Sequence, residues 1–199
     1  MQSHRIHRRA LLGATTLLVA LALPASTLAA SFPGTPGPDH FIGTAEADTM
    51  TGLAGDDILE GMGGPDEIRG GDDNDLIYGG DGNDALGGGN GNDGIRGGAG
   101  RDMANGGDGA DKVAGGPGAD AVYGGAGPDI LYGGDGPDVI GGGAGRDLVY
   151  GGAGNDVIQV GRDKTPDAVH CGPGWDVAYL GRYDIADASC ERTVRTLEA

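Results

Sequence analysis

Gly79-Gly80-Asp81-Gly82-Asn83-Asp84-Ala85-Leu86-Gly87 is one unit of a pattern that recurs every nine residues and decides the architecture. From Gly79 to Gln159, nine consecutive units keep Gly-Gly-x-Gly-x-Asp in full. Further out, every ninth residue from Asp39 to Asp156 is aspartate, fourteen in succession. A glycine stands five residues before each, from Gly34 to Gly151, and an apolar residue two after each, such as Leu59, Ile77, Val113 or Ile158. A fixed short period marks a repeat architecture. A periodic carboxylate inside glycine turns marks a hard cation with oxygen ligands, Ca²⁺ first.

Earlier units decay. Thr44, Leu53 and Met62 replace the second glycine, and Glu46 and Asp73 replace the third. After Asp156 the register slips by two residues and resumes at Asp167-Ala168-Val169 and Cys171-Gly172-Pro173-Gly174-Trp175-Asp176. From Ala178 to Ala199 there is no glycine pattern.

Repeated glycines allow φ > 0 and close approach of backbone to a ligand, and leave carbonyls free to face a cation. Asp-x-apolar-x then predicts a strand of about three residues with the apolar side chain inward. A turn and strand in nine residues must reverse direction each time, so two units make one coil and the turns stack in two columns. Aspartates eighteen apart, such as Asp84 and Asp102, then face each other across about 4.8 Å. Like charges that close repel, and a Ca²⁺ between them would remove the repulsion. Leu59, Ile77, Ile95, Val113, Leu131 and Val149 are expected to stack on one sheet. Ile68, Leu86, Val122, Ile140 and Ile158 should stack on the other, with Ala104 as its weak rung.

The candidate ligands are Asp57, Asp66, Asp75, Asp84, Asp93, Asp102, Asp111, Asp120, Asp129, Asp138, Asp147 and Asp156. With them go the paired turn glycines Gly80 and Gly82, Gly89 and Gly91, Gly98 and Gly100, Gly107 and Gly109, and Gly116 and Gly118. The series continues with Gly125 and Gly127, Gly134 and Gly136, Gly143 and Gly145, and Gly152 and Gly154. Fourteen turns in two columns leave six gaps per column, so up to about twelve Ca²⁺ ions.

The run Gly-Gly-x-Gly-x-Asp-x-(apolar)-x resembles the calcium-binding nonapeptide repeat of RTX, or hemolysin-type, proteins. The resemblance covers Gly34 to about Gln159 well and 167–179 loosely. It implies an all-β parallel β-roll (β-solenoid) of about 14–16 nonapeptide turns, two per coil, with Ca²⁺ between successive turns on the same side. Familiar RTX proteins carry an enzyme or toxin domain before the repeats and a C-terminal export signal. Here the roll is expected to be the whole protein.

The chain holds 45 Gly in 199 residues, 5 % aromatics, and 13 Lys+Arg against 30 Asp+Glu, for a net charge of −17. Arg5, Arg8 and Arg9 lie in the first thirty residues, so the remainder carries 10 against 30, or −20. Such a chain does not bind nucleic acid or an anionic membrane. A solvated acidic segment is the alternative for the metal-free chain, but disorder does not explain the charge period. Residues 1–30 read as a secretory signal peptide. The basic start His4 to Arg9 leads to an apolar run Leu11–Leu23, then Pro24 and small residues, with cleavage near Ala29 or Ala30. Arg8-Arg9 leaves twin-arginine export open beside the ordinary route. Thirteen apolar residues are too few for a membrane span. Residues 31–42 form a Pro/Gly-rich leader and first irregular repeat, 43–159 the calcium-binding repeats, and 160–199 a degenerate repeat and C-terminal cap.

Ser31, Ser189, His40 and His170 offer no nucleophile elbow, and Trp175 is the single Trp, so no enzyme is expected. His170 beside Cys171 raises Zn²⁺. Two cysteines in an exported chain favour a Cys171–Cys190 disulfide instead, which would staple the tail over the last coil. Outward Tyr78, Tyr123, Tyr132 and Tyr150 are candidates for a polysaccharide or protein patch, or plain sheet cover. Mixed outward residues such as Glu60, Arg69, Arg96, Asn105 and Gln159 argue against ice binding. The expectation is a secreted, non-catalytic protein that folds on Ca²⁺. The alternatives are a Ca²⁺-dependent surface or matrix adhesion module, or an accessory domain separated from a secreted enzyme.

Overall fold

A computed structural model describes residues 29–161 and 163–195. The signal-peptide reading of 1–30 therefore lies almost wholly outside the described residues. Nineteen strands and no helix occur among the described residues. β1 (Ser31–Pro33) and β2 (His40–Ile42) are short. Twelve six-residue strands follow, from β3 (Thr49–Ala54) to β14 (Leu148–Ala153). β15 (Val157–Gln159), β16 (Ala168–His170), β17 (Val177–Leu180), β18 (Ile185–Ala186) and β19 (Arg192–Arg195) complete the chain.

The odd-numbered strands form a ten-stranded sheet and the even-numbered ones a nine-stranded sheet, all parallel. Register is eighteen residues throughout the repeats: Ile77 pairs with Ile95, and Leu86 with Ala104. This is a parallel β-solenoid of about nine coils with two nonapeptides per coil. Hydrophobic side chains at the eighth position of each unit stack between the sheets as two ladders, buried throughout. Ala104 is fully buried among them, with Leu86 and Val122 as its rungs above and below.

Strands are six residues long where the sequence predicted about three. The ladder continues through the first two glycines of each unit, which pair in register (Gly80 with Gly98, Gly89 with Gly107). The second glycine holds a positive φ (+116° at Gly80, +120° at Gly89) that a side chain would strain, yet keeps its place in the ladder, so the turn shrinks to the third glycine, its neighbour and the aspartate.

The two-residue slip after Asp156 is absorbed within one turn. Asp163 occupies the corner by accepting the Gly145 N–H at 2.8 Å, and pairing resumes with Val149 opposite Val169. Cys171 and Cys190 are joined by a disulfide that holds the tail against the last coils. Phe32 and Phe41, with ring centroids 5.6 Å apart, close the opposite end of the core. No helix among the described residues is long and apolar enough to cross a membrane.

Candidate metal centre

Each repeat aspartate ends its turn with the side chain directed inward and only 1–3 % exposed from Asp57 to Asp156. One oxygen is committed to the backbone, because Oδ1 accepts the N–H of the aspartate one coil earlier. Asp66 donates to Asp84 at 2.9 Å, Asp84 to Asp102 at 2.9 Å, and Asp102 to Asp120 at 2.8 Å. The relay runs down both sides of the roll and ends at Asp184 on one side and Glu191 on the other.

The second oxygen has no such partner. Among the described residues, Oδ2 is buried without a hydrogen bond in fourteen aspartates, every one of the series from Asp57 to Asp156 together with Asp167 and Asp176. A buried carboxylate oxygen with no donor is expensive. Beside it lies a backbone carbonyl. A Cβ added to Gly79 would sit 2.4 Å from Asp84 Oδ2 and 2.5 Å from the Gly97 carbonyl oxygen. The first glycine of each unit therefore keeps room where a carboxylate and a carbonyl converge.

These donors fit a hard cation. They are all oxygens, and no group of three or more His, Cys, Asp or Glu side chains gathers among the described residues. An ion here must draw most of its six to eight oxygen ligands from the backbone, which glycine turns supply. The electrostatics agree. Burial pushes the Asp66, Asp93 and Asp102 carboxyls up to about 6, and those of Asp75, Asp129, Asp138 and Asp167 to about 7. The N–H bond from the preceding coil opposes this rise only in part, and neighbouring carboxylates add to it. Stacked charges that resist ionisation call for a positive counter-charge.

All twelve candidate aspartates share this arrangement. The paired glycines mostly take left-handed φ, for example +116° at Gly80 and +135° at Gly100, whereas Gly82 and Gly118 do not. Leu53 (φ 82°), Met62 (φ 79°) and Asp73 (φ 77°) keep the same backbone where glycine is replaced. Sequence reasoning leaves out Asp167 and Asp176, whose Oδ2 atoms are buried and unpartnered like those of the twelve candidates. Their signal is present in the resumed Asp-x-apolar pattern but obscured by the two-residue slip. The ends differ: Asp39 Oδ2 accepts the Thr35 N–H at 2.6 Å, Asp48 Oδ2 the Thr44 N–H at 2.6 Å, and Asp184 Oδ2 the Gly181 N–H at 2.5 Å.

Elsewhere the polar clusters are simple. His170 Nδ1 meets Asp187 Oδ2 at 2.6 Å, and the Ser189 hydroxyl donates to the other oxygen of the same carboxylate. These bonds, from Ser189 first and then His170, hold Asp187 down at about 2. Serine and histidine thus share an aspartate without touching each other, an arrangement that activates no nucleophile. Tyr132 and Tyr150 stack at 5.1 Å and 6°, and Tyr150 stacks on His170 at 5.0 Å and 12°. Ring faces spent on each other leave edges for solvent, which weakens the polysaccharide-patch reading. Tyr123 stands on the opposite sheet.

Fold and site together define a calcium-binding β-roll, a solenoid that stacks oxygen-lined turns in two columns. The family model for the RTX calcium-binding nonapeptide repeat matches residues 33–68, 60–95, 88–122, 96–131 and 123–158, and the chain belongs to that family. Among curated proteins, none matches the chain.

Proposed function

We propose that this is an exported, non-catalytic protein whose roll folds on binding several Ca²⁺ ions between stacked turns. The observation that carries the reading is the row of fourteen buried, unpartnered Oδ2 atoms. The ligands are the aspartates from Asp57 to Asp156 at nine-residue spacing, with carbonyls of the glycine turns around Gly80–Gly82 through Gly152–Gly154. When bound, Ca²⁺ supplies the positive charge that lets neighbouring carboxylates ionise together. Residues 1–30 serve as the export signal, 31–42 as the leader, 43–159 as the metal-binding roll and 160–199 as the cap. Outside the cytoplasm Ca²⁺ is abundant enough to fill sites of about 10⁻⁴–10⁻³ M.

Equilibrium dialysis of the metal-stripped protein against millimolar Ca²⁺ tests this. Several ions per chain, up to about twelve, are expected. No uptake above that of a scrambled acidic control of equal charge would overturn it.

A further inference from the structure

In so acidic a chain, one lane of the surface carries no charge. It lies on the outer face of the odd-numbered sheet, from β9 (Met103–Asp108) to β17. Two outward rows cross these strands in register. One runs from Met103 through Val139 and Val157 to Val177. The other runs from Asn105 through Tyr123, Gly141 and Gln159 to Tyr179. Neither row holds Lys, Arg, Asp or Glu; the acids stand in the turns along the two edges, Asp108 at the end of β9 included. Met103, Tyr123, Val139, Val157 and Tyr179 are each 40–58 % exposed. Apolar side chains gathered in this way mark a contact surface, which single exposed residues do not.

Gly141 interrupts the second row. A Cβ there would meet Tyr123 Cδ1 at 2.9 Å, so the ring leans over the gap and walls a shallow open trough of about 390 Å³. Val139 and Gln159 also line it. Unlike Tyr132 and Tyr150 on the opposite sheet, Tyr123 and Tyr179 stack on no other ring among the described residues. Asn105 pairs beside Tyr123 and Gln159 beside Tyr179, adding amides that both donate and accept. Trp175, 78 % exposed, stands at the corner that opens β17. Free aromatic rings alternating with amides match a pyranose, which has an apolar C–H face and hydroxyls at its rim.

We propose that this lane binds a neutral, ribbon-like β-1,4-linked polysaccharide laid along the roll axis, with sugar faces on Tyr123 and Tyr179 and hydroxyls on Asn105 and Gln159. A polyanion finds no cation here and meets acidic turns at both edges. A second copy of the chain finds too little area. Five strands and two outward rows give a lane about 19 Å by about 10 Å. That is roughly 200 Å², against about 800 Å² per partner in a stable protein pair. A ribbon one sugar wide needs no more.

Retention of the Ca²⁺-treated full chain on microcrystalline cellulose and on chitin tests this, with carboxymethyl-cellulose as the anionic polymer of the same backbone. Circular dichroism of each variant shows whether the roll is intact. Retention on a neutral polymer is expected. Tyr123→Ala and Tyr179→Ala should each lower it several-fold and together abolish it, while Tyr150→Ala on the other sheet leaves it unchanged. The proposal is overturned if the folded chain is retained on neither neutral polymer, or on carboxymethyl-cellulose alone. Undiminished retention of the double variant would overturn it too. So would a dimer in sedimentation velocity that Tyr123→Ala dissociates, which would give the lane to a second copy. None of these outcomes bears on ion uptake, which dialysis measures separately.

Discussion

At Asp84, one carboxylate oxygen takes the Asp66 N–H at 2.9 Å and the other is buried with no hydrogen-bond partner. Asp120 stands in the same relation to its neighbours, with intact repeats on both sides. Asp48 does not, because Thr44 donates to it through both backbone and hydroxyl. Asp120→Ala should therefore raise the Ca²⁺ midpoint clearly more than Asp48→Ala, as read by parallel calcium titrations. Equal midpoints would mean that the first turns bind as the central ones do. The unpartnered oxygens also set a pH dependence. The raised carboxyls (Asp75 and Asp138 near 7, against 3.8 unperturbed) make the metal-free roll bind more protons than the unfolded chain in that window. Its stability is thus greatest where these groups are protonated and is lost as pH climbs from about 4 through about 7. In EDTA, more strand signal is expected near pH 5 than near pH 8 by circular dichroism. With Ca²⁺ present the order reverses, because protons compete for the ligands. A metal-free strand signal that grows with pH would contradict the burial of these oxygens.

Strand elements are held by what their glycines lack. Gly79→Ala would thrust a Cβ within 2.4 Å of Asp84 Oδ2 and 2.5 Å of a backbone carbonyl. It should lower the melting temperature of the Ca²⁺-loaded protein and weaken binding together; a silent substitution would show that the corner has slack. Leu53 and Met62 present the opposite case. Both hold left-handed φ while half exposed. That conformation costs a residue with a Cβ roughly 1–2 kcal/mol, and glycine's greater freedom in the unfolded chain takes back part of the gain. Met62→Gly should stabilise the loaded roll by about 0.5–1 kcal/mol in thermal unfolding. The nine-residue period made the coil, both ladders and the inward aspartates legible, because alternation and spacing fix which side chains face the core. It gave no warning that strands would run through Gly-Gly, since glycine ranks low in strand propensity and only the stacked coils hold the second glycine of each pair in the ladder at positive φ. Strands β18 and β19 were equally hidden: Ile185–Ala186 and Arg192–Arg195 show no period and pair only because the disulfide and the relay end bring them there.

The whole molecule sets a thin core against a large charge. Two single-file ladders are its apolar interior, and residues beyond the first thirty carry −20. The tail is fastened by one disulfide, which contributes roughly 3 kcal/mol on the chain-entropy model. Reduction should release residues near β18 and β19 first, seen as faster hydrogen exchange there than in β8 (Gly94–Ala99) to β12 (Ile130–Asp135). For the roll as a whole, little apolar area is available to offset backbone ordering, so binding free energy becomes folding free energy. Neighbouring turns share each gap, so filling should be cooperative along a column. Far-UV circular dichroism of the protein without residues 1–30, near pH 8, titrated with Ca²⁺ and then with EDTA, measures this directly. A disordered spectrum without metal, a steep rise of strand signal with a Hill slope above one, and its loss on chelation are expected. Full strand signal in EDTA, unchanged by Ca²⁺, would contradict the dependence of this fold on its cations.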